Sequence, residues 1–261
     1  MTKTDLKVVK IGGKLIDDEQ RLKRFLSSFS ALKGHKILVH GGGSLATEMS
    51  RSLGIEPRMA DGRRITSDED IRVVTMVYAG WINKTIVAGL QARGCRALGL
   101  SGADGGVIRA GKRAVKKVDF GWVGDVEEVD TGFVQLLLNQ EITPVFCAIT
   151  HNGRGQLLNT NADTVAAEIA VAMSRHFSTQ LLYCFEKKGV LRHVEDERSV
   201  IRELDYPSYR SGVAEGAIHK GMLPKLHTGF DALERGVSEV FVGDESLLNN
   251  DRKLFTRLMK G

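Results

Sequence analysis

Cysteine is scarce in this chain and scattered. Cys95, Cys147 and Cys184 are odd in number, and none sits in a Cys-x-x-Cys pair. That excludes a disulfide framework and the paired spacing of a zinc site. Isolated cysteines in apolar surroundings read as buried free thiols in a reducing compartment. Aromatic residues are 6% of the chain and are not interleaved with the basic ones. The stacking platform of a single-strand nucleic-acid binder is therefore missing. No unbroken apolar run is long enough to span a bilayer, and the first residues carry no apolar signal region. A cytoplasmic location is expected, with no nucleic acid and no membrane as partner. Repeats, low-complexity tracts and an obvious linker are also lacking.

What remains is a chain of 261 residues, long enough to bury a large core as one domain or two lobes. Its formal charge of +5 suits anionic small molecules. Apolar strands are expected over residues 7–11, 36–39, 95–100, 143–148, 179–184 and 238–242. Helical spacing is expected over residues 17–32, from the triple glycine to about Leu53, and over 68–93, 133–139, 163–174 and 223–235. Residues 106–118 read as a hairpin turning at Ala110-Gly111-Lys112, residues 207–212 as a turn or short helix, and residues 251–258 as a frayed or helical tail. Strands alternating with helices predict an α/β fold, a mainly parallel sheet covered on both faces. The polar break Asn152-Gly153-Arg154-Gly155 suggests a lobe boundary near residues 150–175.

The chemistry concentrates in Leu157-Leu158-Asn159-Thr160-Asn161-Ala162-Asp163, read as the end of a polar loop opening into an apolar helix. Helix N-termini attract anions through unpaired N–H donors. Asp163 cannot bind an anion, but it can anchor lysines that do. Lys10 continues an apolar strand into Gly12-Gly13, and Lys225 follows Gly221-Met222-Leu223-Pro224. His40-Gly41-Gly42-Gly43 follows another strand, and glycines let backbone N–H groups approach a phosphate closely. Together these suggest a phosphoryl-transfer site built from both halves of the chain.

Two other phosphate patterns compete. Gly106-Val-Ile-Arg-Ala-Gly111-Lys112 has P-loop spacing, but Arg113 stands where a magnesium-binding hydroxyl is needed. The basic run from Arg109 to Lys117 reads more simply as a solvated hairpin. Gly41-Gly42-Gly43-Ser44-Leu45-Ala46 fits a dinucleotide fingerprint, with Asp61 as its ribose acid. That reading leaves Lys10, Asp163 and Lys225 without roles. Arg64 either clamps a carboxylate or caps the next helix. Asn159 and Asn161 either orient substrate or serve as loop and cap residues. His40 is assigned no proton-transfer role.

These motifs in this order resemble the acetylglutamate kinases, of the amino-acid kinase fold. The resemblance rests on Lys10-Ile-Gly-Gly, His40-Gly-Gly-Gly, Gly62-Arg-Arg64-Ile-Thr, Gly99-Leu-Ser-Gly-Ala-Asp-Gly-Gly, Val123-Gly-Asp-Val, Asn159-Thr-Asn-Ala-Asp163 and Gly221-Met-Leu-Pro-Lys225. It implies a three-layer αβα sandwich. Residues 1–160 would form a lobe for the acylglutamate and for dimerisation, and residues 161–261 an ATP lobe. Lys10 and Lys225 would neutralise the moving phosphoryl group, with Asp163 holding both. Gly42, Gly43, Arg64 and Asn159 would bind the acylglutamate, and Gly12, Gly13, Glu186 and Gly189 the ATP. Mg2+ would accompany ATP, with no protein residue assigned as a metal ligand. Glu186, in Cys184-Phe-Glu-Lys-Lys-Gly189, would replace a closer acid of the relatives at longer reach.

Lys220 also departs from the small or acidic residue of the relatives. The extra arginines Arg58 and Arg63, beside Met59, suit a longer, acidic acyl group such as succinyl. Arginine-regulated relatives carry an additional N-terminal helix, and only Met1–Leu6 precedes the first strand here. A homodimer with little arginine feedback is expected, joined through the helix over residues 68–93. The remaining alternatives are a sister kinase acting on aminoadipyl, aspartyl or carbamate substrates, and a non-catalytic sensor. Arg64 with Asn159 disfavours the first, and retention of both lysines with Asp163 disfavours the second.

Overall fold

Alternation in the first strand sets the architecture. In β1 (Asp5–Ile11), Leu6 and Val8 pack into one apolar cluster, and Val9 and Ile11 into another. Successive strand side chains point to opposite faces. A strand apolar on both faces belongs inside a covered sheet. It lies there in the computed structural model, which describes residues 3–60, 63–193, 195–216, 218, 222–249 and 254–260. From edge to edge the main sheet runs β12 (Glu203–Asp205), β14 (Thr256–Met259), β13 (Glu239–Gly243), β11 (Ser178–Cys184), β1, β2 (His35–His40), β8 (Thr143–Cys147) and β5 (Ala97–Leu100). All neighbours pair in parallel except β13 with β14.

Helices cover both faces, so the expected αβα sandwich is present. On one face lie α2 (Glu19–Ala31) and the helix Asp68–Gln91. On the other lie α6 (Thr131–Asn139), α7 (Ala162–Met173) and α9 (Leu223–Glu234). α1 (Gly13–Asp17) and α3 (Leu45–Ser52) each follow a glycine loop, and α8 (Tyr206–Ala214) forms where a turn or short helix is expected.

The helix Asp68–Gln91 begins as α4 (Asp68–Thr75), passes through a π-helical stretch at Met76–Ile82, and ends as α5 (Asn83–Gln91). A capping box between Ser67 and Asp70 fixes its start. It has 24 residues, and an 18-residue window of mean hydropathy 1.3 within it is long and apolar enough by length and composition to cross a membrane. The sequence expectation counted unbroken apolar runs and so passed over it. Ile71, Val74, Val77, Ile86 and Leu90 lie in the core, while Met76 and Trp81 are exposed.

Four strands form a second, closed array that leans on this sandwich: β10 (Leu157–Thr160), β7 (Val123–Val129), β6 (Ile108–Lys112) and β9 (Ile149–His151). It corrects two expectations. Leu157–Thr160 is a strand paired with β7 and β9, not a loop. Ala110-Gly111-Lys112 is not a turn, because β6 runs straight through it and pairs with Val126, Asp125 and Gly124. The chain reverses later, between residues 113 and 122. The tail is also corrected: residues 251–253 lie outside the described residues, and Thr256–Met259 is strand β14. Its pattern alternates buried Thr256 and Leu258 with less buried neighbours, a period of two. A short hairpin of β3 (Met59–Ala60) and β4 (Arg63–Arg64) projects from the first half.

Candidate active site

The alternation of β1 places Lys10 on the same face as Leu6 and Val8, under α7. Asp163 sits in the first turn of α7, where a carboxylate is favoured by the helix dipole. Asn161 is the N-cap. Its Oδ1 accepts from the Asp163 N–H at 2.8 Å and the Thr164 N–H at 3.1 Å. That is the cap role left open in the sequence. Lys225 comes from the first turn of α9, where Pro224 is well suited to starting a helix.

These elements bring three charges together. Lys10 Nζ lies 2.7 Å from Asp163 Oδ1, an ion pair angled outside hydrogen-bond geometry. Lys225 Nζ donates to Asp163 Oδ2 at 3.0 Å. Burial pushes the Lys10 ammonium below its ordinary value, with Asp163 opposing. Burial would push the Asp163 carboxyl up, but Lys10 and Lys225 together outweigh it and hold the group low. Two ammonium groups sharing one carboxylate leave one positive charge unmatched, which suits an anionic ligand.

Two cavities lie nearby, and both lysines line the larger one. The larger, of about 670 Å³, is lined by Lys10, Gly12, Gly13, Glu186, Gly189 and Lys225, which includes all four residues expected at ATP. The smaller, of about 240 Å³, is lined by Gly42, Gly43, Arg64 and Asn159, the four expected at the acylglutamate. Gly43 lines both, so the cavities meet at the glycine loop. There the two loops touch: a Cβ on Gly13 would lie 2.6 Å from the Gly43 Cα. Gly43 itself has φ +55°.

Arg64 is buried. Its Nη2 donates to Thr47 Oγ1 at 2.8 Å, and its Nη1 lies 3.5 Å from Asp70 Oδ1. Among the described residues Nη1 has no hydrogen-bond partner. A guanidinium fixed in this way, by Thr47 and Asp70, is suited to recognising a planar carboxylate. Asn159 Nδ2 donates to Thr66 Oγ1 at 3.1 Å. Glu186 is tied to Lys14 at 2.9 Å. Gly189 packs against Thr256 and Val200, where a Cβ would lie 2.7 Å from Thr256 Oγ1.

Sequence reasoning missed Tyr78 and Arg113, which also line the smaller cavity. Tyr78 lies against Gly42 so closely that a Cβ there would fall 1.5 Å from its Cε1. Arg113, expected in a solvated hairpin, binds Asp125 through Nε and Nη2 and keeps a buried Nη1 with no hydrogen-bond partner among the described residues. No spacing in the sequence links these residues to the glycine loop.

The P-loop pattern is not borne out. Gly111-Lys112 is strand, and Lys112 Nζ sits over the Trp122 ring at 4.8 Å. Asp61 lies outside the described residues, as do Gly62, Lys220 and Gly221. All three cysteines are free and buried, as expected. Among the described residues no cluster of three or more His, Cys, Asp or Glu side chains could hold a metal ion.

Comparison with known proteins identifies relatives of the whole chain. Acetylglutamate kinase from Bacteroides fragilis is 51% identical over 95% of this chain and 95% of its own. That from Cytophaga hutchinsonii is 49% identical over 97% and 98% respectively. Among solved structures, smu.665 from Streptococcus mutans shares the fold with a TM-score of 0.80 at 23% identity, covering 97% of this chain and 98% of that one. An N-acetylglutamate synthase from Neisseria gonorrhoeae, complexed with coenzyme A and N-acetylglutamate, reaches a TM-score of 0.84 at 20% identity, over 100% of this chain and 60% of that one. The model of the Amino acid kinase family matches residues 5–244, most of the chain: the chain belongs to that family.

Proposed function

We infer that the chain transfers the γ-phosphoryl group of ATP to the side-chain carboxylate of N-acetyl-L-glutamate, giving an acyl phosphate in arginine biosynthesis. The observation that carries the reading is the Lys10–Asp163–Lys225 triad, whose two lysines line the larger cavity, which meets the smaller one at Gly43. The nucleophile is a carboxylate, ionised at neutral pH, so no general base is needed. Catalysis then consists of positioning and charge neutralisation.

In this reading ATP occupies the larger cavity, with Gly12, Gly13, Glu186 and Gly189 around it. The acylglutamate occupies the smaller one. Arg64 takes its α-carboxylate, Asn159 orients the acylated amine, and Gly42 and Gly43 face the reacting end. Lys10 and Lys225 neutralise the phosphoryl oxygens while Asp163 fixes the spacing between them. Residues 1–160 serve as the acylglutamate lobe and 161–261 as the ATP lobe, though Lys10, Gly12 and Gly13 reach across. Mg2+ arrives with the nucleotide and spreads the charge of its phosphates. The donor set fits that role: Asp17 and Glu186 are the acids among the described lining residues, too few for a protein cage.

The protein acts as a cytoplasmic homodimer, with no membrane or nucleic-acid partner. Met76 and Trp81, 56% and 69% exposed on the helix Asp68–Gln91, support that helix as the dimer face.

One observation favours a second substrate. The smaller cavity carries Arg63 and Arg113 besides Arg64. N-acetylglutamate offers one carboxylate beyond the reacting one, whereas N-succinylglutamate offers two. The test is ATP-dependent acyl-phosphate formation, trapped with hydroxylamine, on both substrates in parallel. Product from either supports the kinase reading, and the ratio names the acyl group. A strong acetyl preference removes the succinyl reading. Folded protein that binds Mg-ATP and makes neither product refutes both.

A further inference from the structure

His40 ends β2 directly before the glycine loop and is 0% exposed. Its Nδ1 lies 2.8 Å from the Gly41 carbonyl oxygen, and its Nε2 lies 3.0 Å from Asn83 Nδ2. Asn83 is itself buried. Its Nδ2 also donates to the Val145 carbonyl at 2.9 Å, while its Oδ1 accepts from Lys84 Nζ at 3.2 Å. The amide orientation is fixed by these partners, so Asn83 presents a donor to the ring. Nε2 must then accept, which places the ring proton on Nδ1, donating to Gly41. Burial keeps the imidazole neutral, its pKa lowered to about 4, with Lys10 and Lys84 adding to the effect.

The consequence lies across one peptide bond. In a trans peptide the carbonyl and the following N–H point in opposite directions. Holding the Gly41 carbonyl against His40 therefore turns the Gly42 N–H away from the ring. Gly42 lines the smaller cavity, and its N–H donates to no partner among the described residues. Gly42 cannot shift freely, because the Tyr78 ring abuts it.

We propose that His40, held by Asn83, is a positioning residue that aims the Gly42 N–H at the anionic oxygen of the reacting group. Asn83 opens α5 directly after the π-helical stretch, so the register of the long helix sets where this support stands. Gly99 leaves room for it: a Cβ there would lie 1.9 Å from Asn83 Oδ1. The proposal rests on the role given to Gly42 in the kinase reading.

The test has two arms. In the wild-type protein, ring 15N shifts report the His40 tautomer without any mutation. Protonation at Nδ1 is expected, and protonation at Nε2 overturns the proposal. In His40→Leu, kcat should fall about 10- to 100-fold, as for a misplaced transition-state donor. The Mg-ATP dissociation constant should stay within about twofold, and His40→Gln, which keeps a donor, should recover part of the rate. An unchanged kcat, or a loss confined to KM, overturns the proposal even with the expected tautomer. Failure of the kinase reading itself shows separately, as wild-type protein that forms no acyl phosphate.

Discussion

Replacing Gly13 with alanine tests whether the two glycine loops set the distance between the substrates. The new Cβ would lie 2.6 Å from the Gly43 Cα and 3.1 Å from the Gly43 nitrogen. Ordinary carbon contacts begin near 3.5 Å, so the loops must separate by about 0.9 Å. Both partners are backbone, and no side chain can swing aside to absorb the change. Gly13 has no positive φ and opens α1, where alanine is conformationally welcome. The strain therefore goes into the gap between the loops. Gly43 lines both cavities, so the gap moves ATP relative to its acceptor. A displacement of about 1 Å costs on the order of 100-fold in rate, or about 2.7 kcal/mol of barrier. The stability cost should match ordinary overpacking, about 1–3 kcal/mol. Hydroxamate formation gives kcat, and thermal unfolding confirms that the variant is folded. A folded Gly13→Ala protein with wild-type kcat would refute the reasoning.

The other predictions concern the charges. Lys10→Ala and Lys225→Ala should each lower kcat by roughly 100-fold or more while changing KM little, and purely KM effects would remove the assigned roles. Asp163→Ala strands two ammonium groups, that of Lys10 buried, and should lower unfolding free energy by about 3–5 kcal/mol in urea titration. A loss under about 1 kcal/mol would mean the lysines find other partners. Stability should also fall with acid. The His40 pKa is lowered from 6.5 to about 4, so between those values the unfolded state binds the proton and the native state does not. That contribution is intact above pH 6.5 and costs about 3 kcal/mol by pH 4. Asp163 acts in the same direction at lower pH: its carboxyl is held low when folded, and its contribution is lost as pH falls through that value. Urea midpoints at neutral and acid pH should show the slope, and His40→Gln should flatten its upper part.

The charged centre is legible in the sequence because each member sits on a local rule. Lys10 stands out where an apolar strand runs into Gly12-Gly13, Asp163 at a helix start, and Lys225 after Gly221-Met222-Leu223-Pro224. The central parallel strands are legible for the same reason: continuous apolar runs have few alternatives. What fails is reading pairing from a local signal. Gly111-Lys112 resembles a turn, yet β6 continues through it because β7 supplies partners from residues the turn rule never considers. Thr256–Met259 becomes a strand only by pairing with β13 and β12. Tyr78 and Arg113 reach the smaller cavity from elements far apart in sequence, and their neighbours carry no special spacing. The roles of the lining residues come from the family resemblance together with the cavity geometry, not from any one motif.

The position of β1 has a consequence for biosynthesis. It pairs with β2 on one side, which is made soon afterwards, and with β11 on the other. Residues 178–184 are translated long after residue 11, by roughly 10–35 s at ordinary elongation rates. During that interval the nascent chain carries an open, apolar strand edge at what becomes the centre of the sheet. Such edges invite pairing with other chains. Lys10, a charge within that strand, gives the waiting edge a solubilising break before it acquires any part in chemistry.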